Sequence, residues 1–570
     1  MRTPAQLKRY IDSALGKVKA DLVIKNVRIF HLTDGTVETG DIAVTDGVIT
    51  GVGSSYCGTT QVDGSGLYAV PGFLDSHVHL ESSMLLPSEY EKLLLAHGVT
   101  TAVCDPHELA NVLGEEAFSF FAEQASSLVL DLQIHVSSCV PATPFDSAGA
   151  EVDAKTLKKW KEKIPHTALA ELMNVPGLLC GDPEVLEKAA SFDRIDGHCP
   201  LLSGKELNAY AAAGVNNCHE STTPAEAQEK LRRGLQVLIR EGYASKDLQA
   251  LIPLITVENS PFLAFCTDDR NPLEITEEGH IDSMIRKAIA GGASPLAAYR
   301  VASWSGAQAM GLTDRGLLAP GKRADIVLVS DLNQCDVQKV ICRGKVLEED
   351  FFRSRRISSI PEHFLHTVKC SPVEEKDLYI PAGEPGSKTA VIGIRENSII
   401  TDFLLEDVIV RNGGKISCVE QDILKAVVLE RHGKNGNTGL GFVRGFGLQK
   451  GAIASSVGHD SHNLCCVGSN DADMVCALNT LLDMQGGFVA VQDGVVLAKL
   501  PLALGGLLST APAEEVRQAL KELHKAASSL GCPLSDPFLS LAFITLPVIP
   551  FLKLTDRGMF DTVKFSLLEQ

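Results

Sequence analysis

The chain reads as an α/β protein: a (β/α)8 TIM-like barrel, a small β domain formed by its N-terminal and post-barrel segments, and a C-terminal α+β domain. Three observations predict this. Eight short apolar runs alternate with helical periods over about 240 residues, the rhythm of a parallel barrel. Alternating runs split by Asp-Gly turns precede that region, and a matching strand pair follows it. Beyond residue 384 hairpin signals mix with two longer helical stretches. The expected division is 1–72 and 315–350 for the small β domain, 73–314 for the barrel, 351–384 for a linker and 385–570 for the last domain. A chain of 570 residues is too long for one core, and roughly three domains agree with its length.

From Asp21 to Tyr68, Leu22-Val23-Ile24, Asp41-Ile42-Ala43-Val44 and Val48-Ile49-Thr50-Gly51-Val52 are separated by turns at Asp34-Gly35 and Asp46-Gly47, which reads as hairpins. Between Gly316 and Leu347, Ala324–Val329 and Lys339–Lys345 supply strands to pair with them. Leu67–Asp75 reads as one apolar strand with a Pro-Gly turn inside it, ending at His77. The other barrel strands are expected at Thr101–Cys104, Leu132–Val136, Ala168–Leu172, Arg194–His198, Val215–His219, Gln236–Ile239 and Phe262–Cys266. Phe351 to Glu384 mixes charge, proline and serine without a period. In the last domain Asn412-Gly413-Gly414 and Asn435-Gly436 mark hairpins, and Met474–Leu482 and Ala513–Ala527 read as helices.

Lys plus Arg is 52 against Asp plus Glu at 71, a net charge of -19, which disfavours nucleic acid as a partner and leaves a small molecule. No window reaches the ~18 uncharged apolar residues of a membrane helix, and the first thirty residues offer no apolar export segment. A cytoplasmic protein that assembles as a homo-oligomer, with no membrane contact, is expected. Its fifteen cysteines form no Cys-x-x-Cys pair. Cys104, Cys139, Cys180, Cys199, Cys218 and Cys266 fall in or beside apolar runs, as buried free thiols do. The missing pair also excludes the zinc deaminases of nucleic acids, which use His-x-Glu with Pro-Cys-x-x-Cys.

His77 and His79, at i and i+2 on a strand, point to one side and can grip one ion at the strand end, where barrels keep their chemistry. A lone His-x-His is more often simply hydrogen-bonded, and Glu171, His198, His219 or Asp268 taken singly has an ordinary structural reading. Six such residues at the same end of successive strands are hard to explain by packing. Four imidazoles and two carboxylates suit two divalent metals bridged by Glu171, with a shared water ionised between them. Carboxylate ligation leans toward manganese or iron(II), while the imidazoles accept zinc.

The ordered set of His-x-His, a strand-four ligand, two later histidines and a last-strand Asp resembles the amidohydrolase superfamily. His77–Met84, Cys104–Gly114, Glu171–Gly177 and Thr267-Asp268-Asp269-Arg270, with Gly458-His459-Asp460-Ser461-His462-Asn463 in the last domain, resemble the adenine deaminase family. That resemblance implies conversion of adenine and water to hypoxanthine and ammonia, in purine salvage, at a binuclear manganese or iron centre. Hydroxide between the metals would attack C6, Asp268 would take its proton, and N1 would be protonated before ammonia leaves. Adenosine deaminases carry a Glu three residues after their strand-five His. Here His198 is followed by Cys199-Pro200-Leu201, so the N1 proton comes from another loop, with Glu81 first, then His107 and Glu220 as candidates.

Two bland readings stand beside these. His107 opens a helix that Asp105 would cap with Pro106 at its first position. The His459–Asn463 stretch is a further metal site, a hydrogen-bonded turn or, preferred, a loop that closes over substrate. Gly439, Gly441, Gly445 and Gly447 lack the ending of a phosphate loop, and no Gly-x-Ser-x-Gly elbow occurs. Two rival functions remain. A cyclic amide hydrolase resembling dihydroorotase would place a carboxylated lysine where this chain has Glu171, and an inactive amidohydrolase-like scaffold would have lost ligands that are all present here.

Overall fold

In the computed structural model, residues 2–243, 245–352, 359–384, 386–395 and 398–568 are described. The chain opens with a helix, Pro4–Ala14, capped by Thr3 in a reciprocal box with Gln6. Strands β1 (Ala20–Phe30), β2 (Val37–Thr45), β3 (Val48–Val52), β4 (Gly58–Asp63) and β5 (Tyr68–Pro71) follow. Asp46 and Gly47 both take positive φ in the β2–β3 turn, as a tight hairpin requires.

The run from Leu67 to Asp75 is not one strand. β5 pairs with β1 in the outer sheet, and β6 (Phe73–Val78) starts the barrel. Gly72 is the joint: a Cβ there would stand 2.3 Å from Thr100 Oγ1 and 2.9 Å from Asp325 Cβ. The proline-glycine signal therefore marks a passage between two sheets and not a turn inside one.

The barrel continues through β7 (Val99–Cys104), β8 (Asp131–Ile134) with its continuation β9 (Val136–Ser137), β10 (Leu169–Leu172), β11 (Ile195–Gly197), β12 (Asn217–Cys218), β13 (Gln236–Arg240) and β14 (Leu263–Cys266). Neighbours pair in parallel, and parallel bridges Ile195 to Val215 and Val78 to Asp268 close the ring. β6, β7, β10 and β14 are buried along their whole length, which is why they read as continuous apolar runs.

After the barrel, β15 (Ile326–Val329) pairs with β5, and β16 (Val337–Cys342) and β17 (Lys345–Val346) extend the same sheet. Arg315, Arg323 and Arg343 from this region converge on the Asp131 carboxylate at the base of β8. Residues 359–384, expected to link domains, are partly packed: Phe364 stacks edge-on against Phe120 of the barrel, and Leu378 is buried with its carbonyl accepting from Lys425 Nζ.

The C-terminal region is built on an eight-stranded sheet with helices Asp471–Met484 and Ala513–Ser529. Five of the six cysteines expected inside are buried, whereas Cys180 is exposed at the end of a short helix. Among the described residues no helix is long and apolar enough to cross a membrane.

Candidate active site

Parallel strands deliver their C-terminal ends to one rim, and the six expected side chains meet there. Glu171 lies at the centre and divides its oxygens. Oε1 is 3.0 Å from His77 Nε2 and 2.7 Å from His79 Nε2. Asp268 Oδ1 closes that group at 3.4 and 3.1 Å from the same nitrogens. Oε2 faces the other way, 3.0 Å from His198 Nδ1 and 3.7 Å from His219 Nε2. The ring of His77 stacks on that of His219 with centroids 4.2 Å apart. Two groups of ligand-type atoms thus share one carboxylate.

The donor set fits divalent cations. His79 Nδ1 donates to the Asp105 carbonyl at 3.0 Å, so its Nε2 carries the lone pair toward Glu171. Among the described residues Glu171 Oε1 makes no hydrogen bond although imidazole nitrogens crowd it, and His77, His79, Glu171 and Asp268 offer ligand atoms within 4.8 Å of one another. Glu171, His198 and His219 form a second such group. Burial opposes charge on His77, but the Glu171 carboxylate overrides it, with help from Asp268, and lifts its pKa to about 10. Burial is likewise overcome at His198, which Glu220 and Glu171 raise to about 9.

A cleft opens on this centre. His79, Glu171, His198, His219 and Asp268 line it, together with His107 and Glu220. Met173, Phe543, Leu546 and Ile549 give it an apolar wall, the last three from the C-terminal region. Glu81, ranked first as proton donor from the sequence, lines an adjoining cavity instead. Its Oε1 accepts from the Leu109 amide at 3.0 Å, and burial pushes its carboxyl up to about 7. Asp105 does not cap the helix at His107: that helix has no side-chain cap, and Asp105 Oδ1 accepts from the Ser137 hydroxyl.

Several residues escaped the sequence reading. Arg240, at the end of β13, grips Glu220 through both terminal nitrogens, donates to Asp268 Oδ2 at 3.0 Å and reaches Asp247 from Nε at 3.2 Å. A buried arginine ending an apolar barrel strand was the available signal. Glu108 was passed over beside His107, although it meets His459 Nδ1 at 2.7 Å. The His459–Asn463 stretch is buried against the barrel, and its His459 and Asp460 line the cleft.

The amidohydrolase family profile matches residues 68–347, and that of the adenine deaminase C-terminal domain matches 398–566. An adenine deaminase of Methylobacterium nodulans is 51% identical over 567 residues, covering 99% of this chain and 100% of the relative. This chain belongs to the adenine deaminase family. Another adenine deaminase, from Gluconobacter oxydans, is 51% identical over 98% of this chain and 99% of its own length. Among solved structures, an N-acetyl-D-glucosamine-6-phosphate deacetylase from Mycobacterium smegmatis is similar with a TM-score of 0.44 and 17% identity, over 57% of this chain and 100% of that one. Membership of the adenine deaminase family covers both the barrel rim and the C-terminal wall of the cleft.

Proposed function

We propose that this protein is a metal-dependent adenine deaminase of purine salvage, which hydrolyses adenine to hypoxanthine and ammonia. The observation that carries the reading is Glu171, one carboxylate shared between two groups of ligand-type atoms in a chain about half identical to adenine deaminases over its whole length. His77, His79, Glu171, His198, His219 and Asp268 would hold two divalent cations. Manganese or iron(II) best suits the donors, with zinc acceptable. When bound, such a pair supplies an acidified water and Lewis-acid polarisation near neutral pH.

The side chains account for the rest. Arg240 donates to Asp268 Oδ2 and fixes the carboxylate that accepts the proton of the water that adds to C6 of adenine. The C6–N bond then breaks once the amino group is protonated, and ammonia leaves. Of the three candidates for the N1 proton, His107 and Glu220 line the cleft, and both Glu220 oxygens accept from Arg240. Glu81 lines the neighbouring cavity, and His107 faces Glu108 and Asp460. The apolar wall of Phe543, Leu546 and Ile549 suits a flat, uncharged base.

The same proposal divides the chain into a barrel at 73–314, a two-part β domain at 1–72 and 315–350, a connecting segment at 351–384 and a last domain at 385–570. A cytoplasmic location is supported by fifteen free cysteines. A homo-oligomer is supported by Leu7 and Ile11, exposed on the first helix, and by Leu15 exposed at its C-cap. A cyclic amide hydrolase and an inactive scaffold are not favoured.

A panel of purine bases and nucleosides offered to ion-loaded protein tests the substrate. Ammonia is expected from adenine and not from adenosine; release from adenosine alone would reject the reading.

A further inference from the structure

We propose that His107, Glu108, His459 and Asp460 form a separate site for a divalent cation, which fastens the C-terminal region to the barrel. Two of these side chains begin the helix after β7, and two belong to the loop beside the cleft. Their polar atoms face one another. Glu108 Oε1 is 3.3 Å from His107 Nε2 and 2.7 Å from His459 Nδ1. Asp460 Oδ1 is 3.8 Å from each of the same two nitrogens. Four ligands around a tetrahedral ion, each at about 2.1 Å, stand about 3.4 Å apart. These four imidazole–carboxylate separations bracket that edge, and His107, Glu108 and Asp460 offer ligand atoms all within 4.8 Å of one another.

All four side chains are buried, and Asp460 Oδ2 has no hydrogen-bond partner among the described residues. Two carboxylates enclosed this way need a cation, and an unpartnered carboxylate oxygen at 4% exposure marks the place. His462 supports the site without joining it. Its Nδ1 accepts from the Gly458 amide at 3.3 Å, which turns Nε2 toward Glu108 Oε2. Two imidazole nitrogens and two carboxylate oxygens favour a first-row transition ion such as zinc, manganese or iron(II) over magnesium or calcium.

The site borders the barrel centre, with His107 Nδ1 3.9 Å from Glu171 Oε1, yet shares none of its six side chains. Its occupancy can therefore be tested apart from deamination. Full-length protein, stripped and reloaded with zinc(II), is crystallised for anomalous diffraction at the zinc edge, and bound zinc is counted for wild type and for H459A/D460N. A peak among the four side chains, with one equivalent fewer in the double variant, is expected whether or not adenine is turned over. The H77A/H79A variant is expected to keep this peak. No peak there in the wild type overturns the site, as does an unchanged count in a folded double variant. Should the double variant fail to fold, the wild-type map decides alone.

Discussion

Glu171 and Arg240 set the electrostatics of the cleft between them. Glu171→Gln keeps the shape but replaces one acceptor oxygen by a donor, so one of the two groups of ligand-type atoms loses its carboxylate oxygen. Metal content and kcat are expected to fall at least about 10–100-fold in affinity and rate, the range seen when ligand geometry is disturbed, with the melting temperature of the ion-free protein as a control. Arg240→Met leaves Glu220, Asp268 and Asp247 without their shared cation. Unpairing buried charges costs about 3–5 kcal/mol, which denaturant unfolding would read directly. The six centre residues were legible because histidine and carboxylate at strand ends stand out against apolar strands. Arg240 and Glu108 were not, because their roles come from partners 20 or more positions away, Glu220 and His459, which strand spacing does not reveal.

At the scale of elements, the barrel strands were read to within a few residues wherever they were apolar throughout, as in β7, β10 and β14. β11 and β12 are only three and two residues long in the structure, so periodicity alone says little about their ends. The merging of β5 with β6 had a different cause: hydrophobicity is continuous across Gly72, while the hydrogen-bond partners change from one sheet to another. Gly72→Ala tests that joint. The added methyl would press on Thr100 and Asp325, both fixed in packed surroundings, and a loss of about 1–3 kcal/mol is expected in thermal or denaturant unfolding. His79→Ala, by contrast, is expected to abolish turnover with the circular dichroism spectrum unchanged, since the strands are held by their aliphatic core. A collapse of the spectrum would count against that separation of site from scaffold.

For the whole molecule, the cleft exists only because the C-terminal region covers the barrel rim with Phe543, Leu546 and Ile549, and Phe543 stacks on His459 at 4.7 Å. Phe543→Ala is expected to raise KM for adenine about tenfold or more while the metal count stays the same. The pH response should differ between ion-free and loaded protein. His77 and His198 have folded pKa values raised to about 10 and about 9, so protonation stabilises the ion-free fold fully below pH 6.5 and is lost as pH rises through 9 to 10. The ion-free melting temperature should fall across that window and the loaded one should not, because bound cations require neutral imidazoles. The sequence could not show this arrangement, since nothing local ties His459 to Glu108, 351 positions apart.

The most direct measurement is ammonia release from adenine by protein stripped of metal and then reloaded with manganese(II) in steps, beside Glu171→Gln treated the same way. Release that is absent from the stripped wild type, grows with loading and stays low in the variant is the expected result. No ammonia from wild type at any loading, or equal release from stripped and loaded protein, would contradict a catalytic centre built on these six side chains.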